Sequence, residues 1–221
     1  MQNLLALARA GRDGRHWYSY AHTAVRRWCF DESFSFDRTC DLLALFSPRV
    51  SVTRSLRMTY HYLLTSTFTH DTTRSIRASV VHYERTGEIR GPKTYPFSLL
   101  LRDPSHPTAI VLDVWMSRAL SVPHRRLATI SGAKPCFTAI RRTASLLGWL
   151  PSEAQAAIWT ATVRAHDRTP YPLCPSRATL GATHAQANRP PVPRPPAARR
   201  PHGEGDRQPE PDPQHLLLQP V

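Results

Sequence analysis

The stretch EIRGPKTYPFSLLLRDPSHPTAIVLDVWMSRAL, residues 88–120, decides the fold because turn signals and apolar runs alternate along it. Gly91-Pro92 predicts a tight turn, and a helix that begins near Lys93 follows this turn. The helix is apolar over its second half, at Phe97, Leu99, Leu100 and Leu101. A helix N-terminus leaves backbone amides unpaired, so this turn is a candidate phosphate site.

The second half of the stretch predicts another helix. A turn at 103–107, DPSHP, precedes the short apolar run TAIVL at 108–112, the best strand candidate of the chain. Asp113 ends this run and stands where a helix from Val114 to Leu120 begins, because aspartate is among the preferred N-cap residues.

Two residues of the stretch suggest chemistry. Lys93 is one of two lysines in a chain with 27 arginines, the other being Lys134 in a GAKP turn. Asp113 interrupts an otherwise apolar run. Together they suggest a catalytic pair, although each has a plainer interpretation. Asp113 can be a helix cap alone, and Lys93 can be a first-turn side chain or a phosphate contact.

The length and composition limit the class of protein. The chain has 221 residues, enough for one ordinary domain and a tail or for two very small domains. It contains no run of eighteen apolar residues, so we expect no transmembrane helix, and its first residues do not resemble a secretory signal. The four cysteines have no C-x-x-C spacing, which argues against a zinc site or an iron–sulfur cluster and favours reduced thiols in a cytosol. These cysteines are Cys29, Cys40, Cys136 and Cys174.

The formal net charge of +13 favours a polyanionic partner, most often nucleic acid. The arginine bias also fits GC-rich coding, which replaces lysine with arginine throughout a proteome. The eleven histidines show no metal-ligand spacing, and we expect neither a cofactor nor a metal. The predicted partner is double-stranded DNA and the predicted location is the cytoplasm, in association with the nucleoid. The oligomeric state stays open.

The composition changes near residue 168 and divides the chain. Residues 169–221 contain 13 of the 21 prolines, and we expect them to form a disordered tail because they cannot bury enough apolar surface. Residues 37–168 are predicted to form a helical domain, and residues 1–36 a partly ordered segment. Residues 1–168 carry 23 of the 29 lysines and arginines, so the basic part is the folded part.

The periodicity of residues 37–168 predicts an all-α fold. Ser47-Pro48 is predicted to open a helix that ends about Thr65, and Asp71 to cap a helix that stops at Gly87. Asp37 is expected to cap a short helix over Cys40. Near the end of the domain, a helix from about Pro135 is predicted to stop at Gly148. Ser152 to Gln155 is predicted to be the capping box of the last helix.

The order of these elements resembles the helix–hairpin–helix DNA glycosylase superfamily. In that superfamily a hairpin L-x-G-x-G-x-K-T leads into an apolar helix, a proline-containing turn and a short apolar run. The run ends in an aspartate that opens a helix of the form D-T-H-V-x-R. Ile89, Gly91, Lys93 and Thr94 match the hairpin, and DVWMSR at 113–118 matches the second element.

The resemblance covers about residues 37–125. PSEAQAAIW at 151–159 is also similar to the last helix of uncharacterised phage and bacterial relatives of this fold. The chain departs from the pattern at two places. Its hairpin has a single glycine, and Val114-Trp115 replaces the Thr-His that follows the aspartate in the family.

The resemblance implies a base-excision enzyme. Asp113 would stabilise the positive charge that develops on deoxyribose when the N-glycosidic bond breaks. Lys93 stands where the family has its lyase lysine, and lysine can form a Schiff base whereas arginine cannot. Gly91, Thr94, Arg90 and Arg118 would contact the DNA.

Two alternatives to an enzyme remain open. The chain can be a non-catalytic helix–hairpin–helix module that grips the DNA backbone without sequence preference. It can also be a relic of the fold that acts through protein contacts of its proline-rich tail. Tyr18, Tyr20, Trp28 and Trp115 are candidates for stacking on an extruded base, or they are core residues.

Overall fold

The computed structural model describes residues 4–166, 168 and 170. These residues form ten α-helices and one 3₁₀ helix, and no strand occurs among them, so the prediction of an all-α fold is confirmed. The helices are α1 Leu4–Ala10, α2 Trp17–Glu32, α3 Phe36–Phe46, α4 Val52–Thr65, α5 Arg74–Thr86, α6 Thr94–Arg102, α7 Val114–Ala119, α8 His124–Leu127, α9 Ile130–Leu147 and α10 Pro151–Arg164. The predicted disordered tail lies, apart from Pro170, outside the described residues.

Two helices, α3 and α10, occupy the interior. All residues from Thr39 to Phe46 are buried, and α3 packs against α2, α4, α5 and α6. Most of α10 is buried too, and it packs against α1, α2, α7 and α9. The alanines and other small residues of α10 leave room for neighbouring helices on several of its sides.

The N-terminal part of the chain packs closely onto α10. Ala8 of α1 is fully buried in the same apolar cluster as Ile158. The 3₁₀ helix Arg12–Gly14 follows α1 and approaches the backbone of α10 so closely that a Cβ on Gly11 would collide with the carbonyl of Ala157. Val25 of α2 is fully buried as well.

A buried carboxylate holds α3, α5 and α6 together. Asp41 is 4% exposed and accepts hydrogen bonds from the hydroxyls of Ser98 and Tyr83. It also pairs with the guanidinium of Arg102. Since Ser98 and Arg102 lie on α6, this network fixes the helix that follows the Gly91-Pro92 turn.

The predicted helix ends at Gly87 and Gly148 are confirmed. Both glycines adopt the left-handed conformation, with φ of 70° and 65°, and their amides bond back to the preceding turn. Glycine is favoured there because it has no Cβ to strain. The predicted start of α7 is also confirmed, since Asp113 caps it.

Two predicted helix starts are wrong by a few residues. Ser51, not Ser47, caps α4, and Ser47 instead follows α3 and donates its hydroxyl to the carbonyl of Ala44. Thr73, not Asp71, caps α5, because Asp71 forms an ion pair with Arg54 at 3.0 Å.

Three other helix starts also differ from the predictions. Ser35 caps α3, which places Asp37 in the first turn. Thr129 caps α9, so this helix contains Pro135 rather than starting at it. In α10 the cap position is Leu150, whose amide donates to Glu153. Only in α3 did two neighbouring side chains, Ser35 and Asp37, offer the same cap chemistry.

The apolar run TAIVL does not form a strand. Ala109 to Leu112 are buried but have no regular secondary structure, and they lead from the turn after α6 to Asp113. This segment divides its apolar side chains between two core clusters, with Val111 in one and Leu112 in the other.

Candidate functional site

A cleft of about 840 Å³ lies where α2, α6, α7 and α10 meet. Its size is that of a cavity for a small-molecule ligand. Part of its lining is apolar, with Trp17, Phe97, Val111 and Trp159 among the contributing side chains. Its basic lining residues are Arg49, Arg90, Lys93, Arg118 and Arg168. Among the described lining residues Asp113 is the one carboxylate, so the cleft is strongly basic.

The two residues that the sequence predicted as a catalytic pair both line this cleft. Lys93 comes from the turn before α6, and Asp113 from the start of α7. They are close enough for the charge of Asp113 to affect the pKa of Lys93.

Lys93 is partly buried and points its amine inward. Its Nζ donates to the carbonyl of Ser47 at 3.0 Å, at the end of α3. Burial lowers the pKa of Lys93 below its ordinary value, and the charge of Asp113 partly opposes this shift. A lysine with a lowered pKa has a larger fraction of neutral amine, which is the nucleophilic form.

Gly91 shapes the turn that presents Lys93. Its φ of 122° is a conformation that side chains rarely adopt, and a Cβ there would lie 2.7 Å from Oγ1 of Thr94. Thr94 is buried, and its hydroxyl donates to the carbonyl of Arg90 at 2.6 Å, which closes the turn.

Asp113 uses one of its two carboxylate oxygens as a helix cap. Oδ1 accepts hydrogen bonds from the amides of Trp115 and Met116, each at 2.9 Å. Oδ2 has no hydrogen-bond partner within the described part of the chain, and the side chain is partly exposed in the cleft. Capping and contact with a ligand are therefore compatible.

The four residues that the resemblance assigned to DNA contact, Arg90, Gly91, Thr94 and Arg118, all line the cleft. Arg90 is exposed and pairs with Glu88 at 2.8 Å. The guanidinium of Arg118 lies 4.4 Å from the ring centroid of Trp115, a cation–π contact. Lys134, by contrast, is exposed on α9 and does not line the cleft.

The four candidate stacking aromatics occupy different environments. Trp28 is a core residue at 3% exposure, whereas Tyr20 is exposed and does not line the cleft. Trp115 lines the cleft between Arg118 and Arg168. Tyr18 also lines it but is buried, so its ring is part of the wall.

The sequence analysis missed Gln155 as a site residue. It is 3% exposed, it lines the cleft, and its Oε1 accepts a hydrogen bond from the hydroxyl of Tyr18 at 2.7 Å. The sequence predicts Gln155 only as a member of the capping box at Ser152 to Gln155. Its signal is a polar residue on a helix whose neighbours are alanines and other small residues.

Residues 4–166, 168 and 170 contain neither a cluster of metal ligands nor a membrane-spanning helix. Within them no group of three or more His, Cys, Asp or Glu side chains is arranged to bind a metal ion. Over the same residues, every helix is too short or too polar to cross a bilayer.

Comparison with known families places the chain in one of them. The chain belongs to the family DUF7178, a family of unknown function, whose model matches residues 5–168. The match runs from α1 to beyond α10 and therefore includes all the helices that build the cleft. No curated protein and no solved structure matches the chain.

Proposed function

We propose that the protein binds double-stranded DNA across the mouth of the basic cleft, receives an extruded damaged nucleotide in it and cleaves the N-glycosidic bond of that nucleotide, as helix–hairpin–helix DNA glycosylases do. The observation that supports this most directly is the position of Lys93 and Asp113. They belong to different helices and yet line one cleft. The sequence resemblance assigned the same two residues to catalysis.

The cationic side chains support an anionic ligand. Arg90, Arg118 and Arg49 line the cleft beside the turn at Gly91 and Lys93. The start of α6 adds few free amides, because the amide of Tyr95 donates to the carbonyl of Gly91 at 3.3 Å and Pro96 has no N–H. The arginine side chains are therefore the groups that would contact phosphates. Such contacts position DNA without reading its sequence.

Asp113 would act on the sugar. As the bond between C1′ and the base nitrogen breaks, the base leaves with the electron pair and positive charge develops on the deoxyribose. The Oδ2 of Asp113 stabilises this charge and orients a water for attack on C1′. The cap on Oδ1 fixes the carboxylate for this role.

Lys93 would add a lyase step. After water has replaced the base, the abasic sugar opens to an aldehyde at C1′; the neutral amine adds to this carbonyl, and loss of one water leaves a Schiff base. Burial supports this role because it lowers the pKa of Lys93 and so disfavours the ammonium form. The carbonyl of Ser47 holds the amine in place at 3.0 Å.

Base release and borohydride trapping test this proposal. The wild-type protein is expected to release a base from at least one duplex in a panel of oxidised, alkylated, deaminated and abasic DNA, and to be trapped on abasic DNA. Asp113→Asn should abolish base release and keep DNA binding. Lys93→Arg should lose the trapped adduct and keep binding, because arginine is a cation but not a nucleophile. Lys134→Arg is the matched control, since Lys134 lies away from the cleft.

The alternative is a module that binds the DNA backbone and has no catalytic activity. The hydrogen bonds from two amides to Asp113 favour it, because they give the carboxylate a structural role of its own. Both functions require salt-sensitive binding to duplex DNA. About four to seven phosphate contacts would give a slope of log affinity against log salt of about −4 to −6. Binding with that slope, without base release or trapping on any duplex, supports the module. Affinity that does not change between about 50 and 200 mM salt contradicts both.

A further inference from the structure

Gln155 and Tyr18 form a buried polar pair in the wall of the cleft, to which the apolar side chains of Trp17, Phe97 and Trp159 also contribute. Gln155 is 3% exposed and Tyr18 is 6% exposed, and both line the cavity. The hydroxyl of Tyr18 donates to Oε1 of Gln155 at 2.7 Å. Nε2 of Gln155 has no hydrogen-bond partner among the described residues. Nε2 is not fully buried, because it is absent from the described polar atoms that lack both a partner and contact with solvent. Since Gln155 lines the cleft, solvent reaches Nε2 there.

The hydrogen bond fixes which end of the amide a ligand meets. Rotation of the amide by 180° would exchange Oε1 and Nε2. Nε2 would then donate to the oxygen of Tyr18, and the hydroxyl proton of Tyr18 would be left without an acceptor. A buried donor without an acceptor costs free energy, so the observed orientation is preferred. Gln155 therefore presents N–H donors to the cleft and no acceptor.

The phenol of Tyr18 is suited to this role. Burial raises its pKa far above the ordinary value, and the charge of Asp113 raises it further. Tyr18 therefore remains a donor over the whole range of working pH. Its ring is held edge-on by Trp17 and Phe97, at centroid distances of 5.0 and 6.4 Å.

We infer that Gln155 is a specificity residue, which selects an extruded base with a carbonyl oxygen on the edge that enters the cleft and rejects an amino group there. Tyr18 is the positioning residue that keeps the amide in its donating orientation. This inference rests on the proposed function, because a base must enter the cleft. It names the substrate class as oxo-bearing bases, such as uracil or hypoxanthine, in preference to their amino counterparts cytosine and adenine. An apolar wall amplifies the discrimination because an unmatched donor there cannot be solvated.

Binding to uncleavable duplexes tests this assignment directly. Each duplex carries one 2′-fluoro-2′-deoxynucleoside, which resists cleavage because fluorine disfavours positive charge on the sugar. The base is hypoxanthine or adenine in one pair of duplexes, and uracil or cytosine in the other. An abasic position opposite the base removes any difference in base pairing. Wild-type protein should bind the oxo member of each pair about tenfold more tightly, which corresponds to one hydrogen bond gained and one donor–donor contact avoided.

Tyr18→Phe is the decisive variant. It frees the amide to rotate, so Gln155 can serve either edge, and the preference for oxo bases over amino bases should fall to about twofold or less. Gln155→Leu should remove the preference as well. Thermal unfolding of each variant shows that it is folded. A Tyr18→Phe variant that binds both members more weakly but keeps the wild-type ratio would make the hydroxyl merely structural and overturn the assignment.

The remaining outcomes separate this inference from the proposed function. Salt-sensitive binding by the wild type with equal affinity for oxo and amino bases overturns the role of Gln155 and leaves the proposed function standing. No binding to any of the duplexes at low salt overturns both.

Discussion

Replacement of Asp113 by serine, asparagine and alanine separates its two roles. Its Oδ1 accepts hydrogen bonds from two amides at the start of α7, each at 2.9 Å. Serine and asparagine cap helices about as well as aspartate, so both variants should change the free energy of unfolding by a few tenths of a kcal/mol. Alanine removes the cap and should destabilise the protein by about 1 kcal/mol. For a domain of this size that corresponds to a decrease in Tm of about 2–4 °C.

The chemical role should not follow the same order. Serine, asparagine and alanine all lack the carboxylate, so all three variants should lose base release equally and completely. DNA binding should stay at the wild-type level or become slightly stronger, because a negative charge is removed from a basic cleft. Thermal unfolding followed by circular dichroism, base release and DNA affinity are measured on the same preparations.

Either of two results would refute this reasoning. If Asp113→Ser released base at the wild-type rate, the carboxylate would not be the stabilising group, and the cap would be the whole function of Asp113. If Asp113→Ser were as unstable as Asp113→Ala, the bonds to Oδ1 would not act as a cap, and the loss of activity in either variant could follow from a distorted α7.

Further predictions concern the turn, the amine and the core. The rate of borohydride-trapped adduct should rise with pH as Lys93 loses its proton and level off below its ordinary pKa of 10.5, because burial lowers this pKa; a rate still rising at pH 10.5 contradicts it. Gly91→Ala should destabilise the protein by about 1–2 kcal/mol in urea and weaken DNA binding, since φ is 122°. Gly87→Ala is its control and should destabilise the fold, because φ is 70°, without affecting DNA binding. If Gly91→Ala and Gly87→Ala weakened DNA binding equally, the turn at Gly91 would have no specific role in binding. Asp41→Ala leaves the guanidinium of Arg102 without its buried partner and should cost about 3 kcal/mol in urea unfolding; a loss below about 1 kcal/mol would show that the network is dispensable.

The sequence predicted helices better than it predicted their first residues. The helix ends predicted at Gly87 and Gly148 were correct, because a helix that ends in the left-handed conformation strongly favours glycine there. N-caps are less exclusive, since several neighbouring residues offer a suitable oxygen. Asp71 illustrates this, because it pairs with Arg54 and leaves the cap of α5 to Thr73. Tertiary and loop contacts decide such a case, here the hydroxyl of Thr69 at 2.6 Å together with Arg54 at 3.0 Å, and periodicity contains no information about them.

The same distinction explains which site residues could be predicted. Lys93 and Asp113 belong to one continuous stretch with clear turn and cap signals, so their helices and their order could be derived locally. Gln155 and Tyr18 are separated by 137 positions and meet because α2 and α10 pack together. Nothing in either local sequence indicates the other partner. Only the structure therefore shows that Tyr18 and Gln155, from opposite ends of the domain, belong to the same site.

The environment of Lys93 favours a role beyond that of a phosphate contact. A residue that serves only as a cation gains from exposure, as Arg90 does on the same turn. Lys93 is instead partly buried, with its Nζ bonded to a backbone carbonyl and its ammonium form disfavoured. This chain uses arginine at nearly all its cationic positions, and arginine would supply a stronger and more permanent charge. What lysine supplies there and arginine cannot is an amine that loses its proton. The geometry of the cleft thus makes the neutral amine, rather than the positive charge, the property of Lys93 to test first.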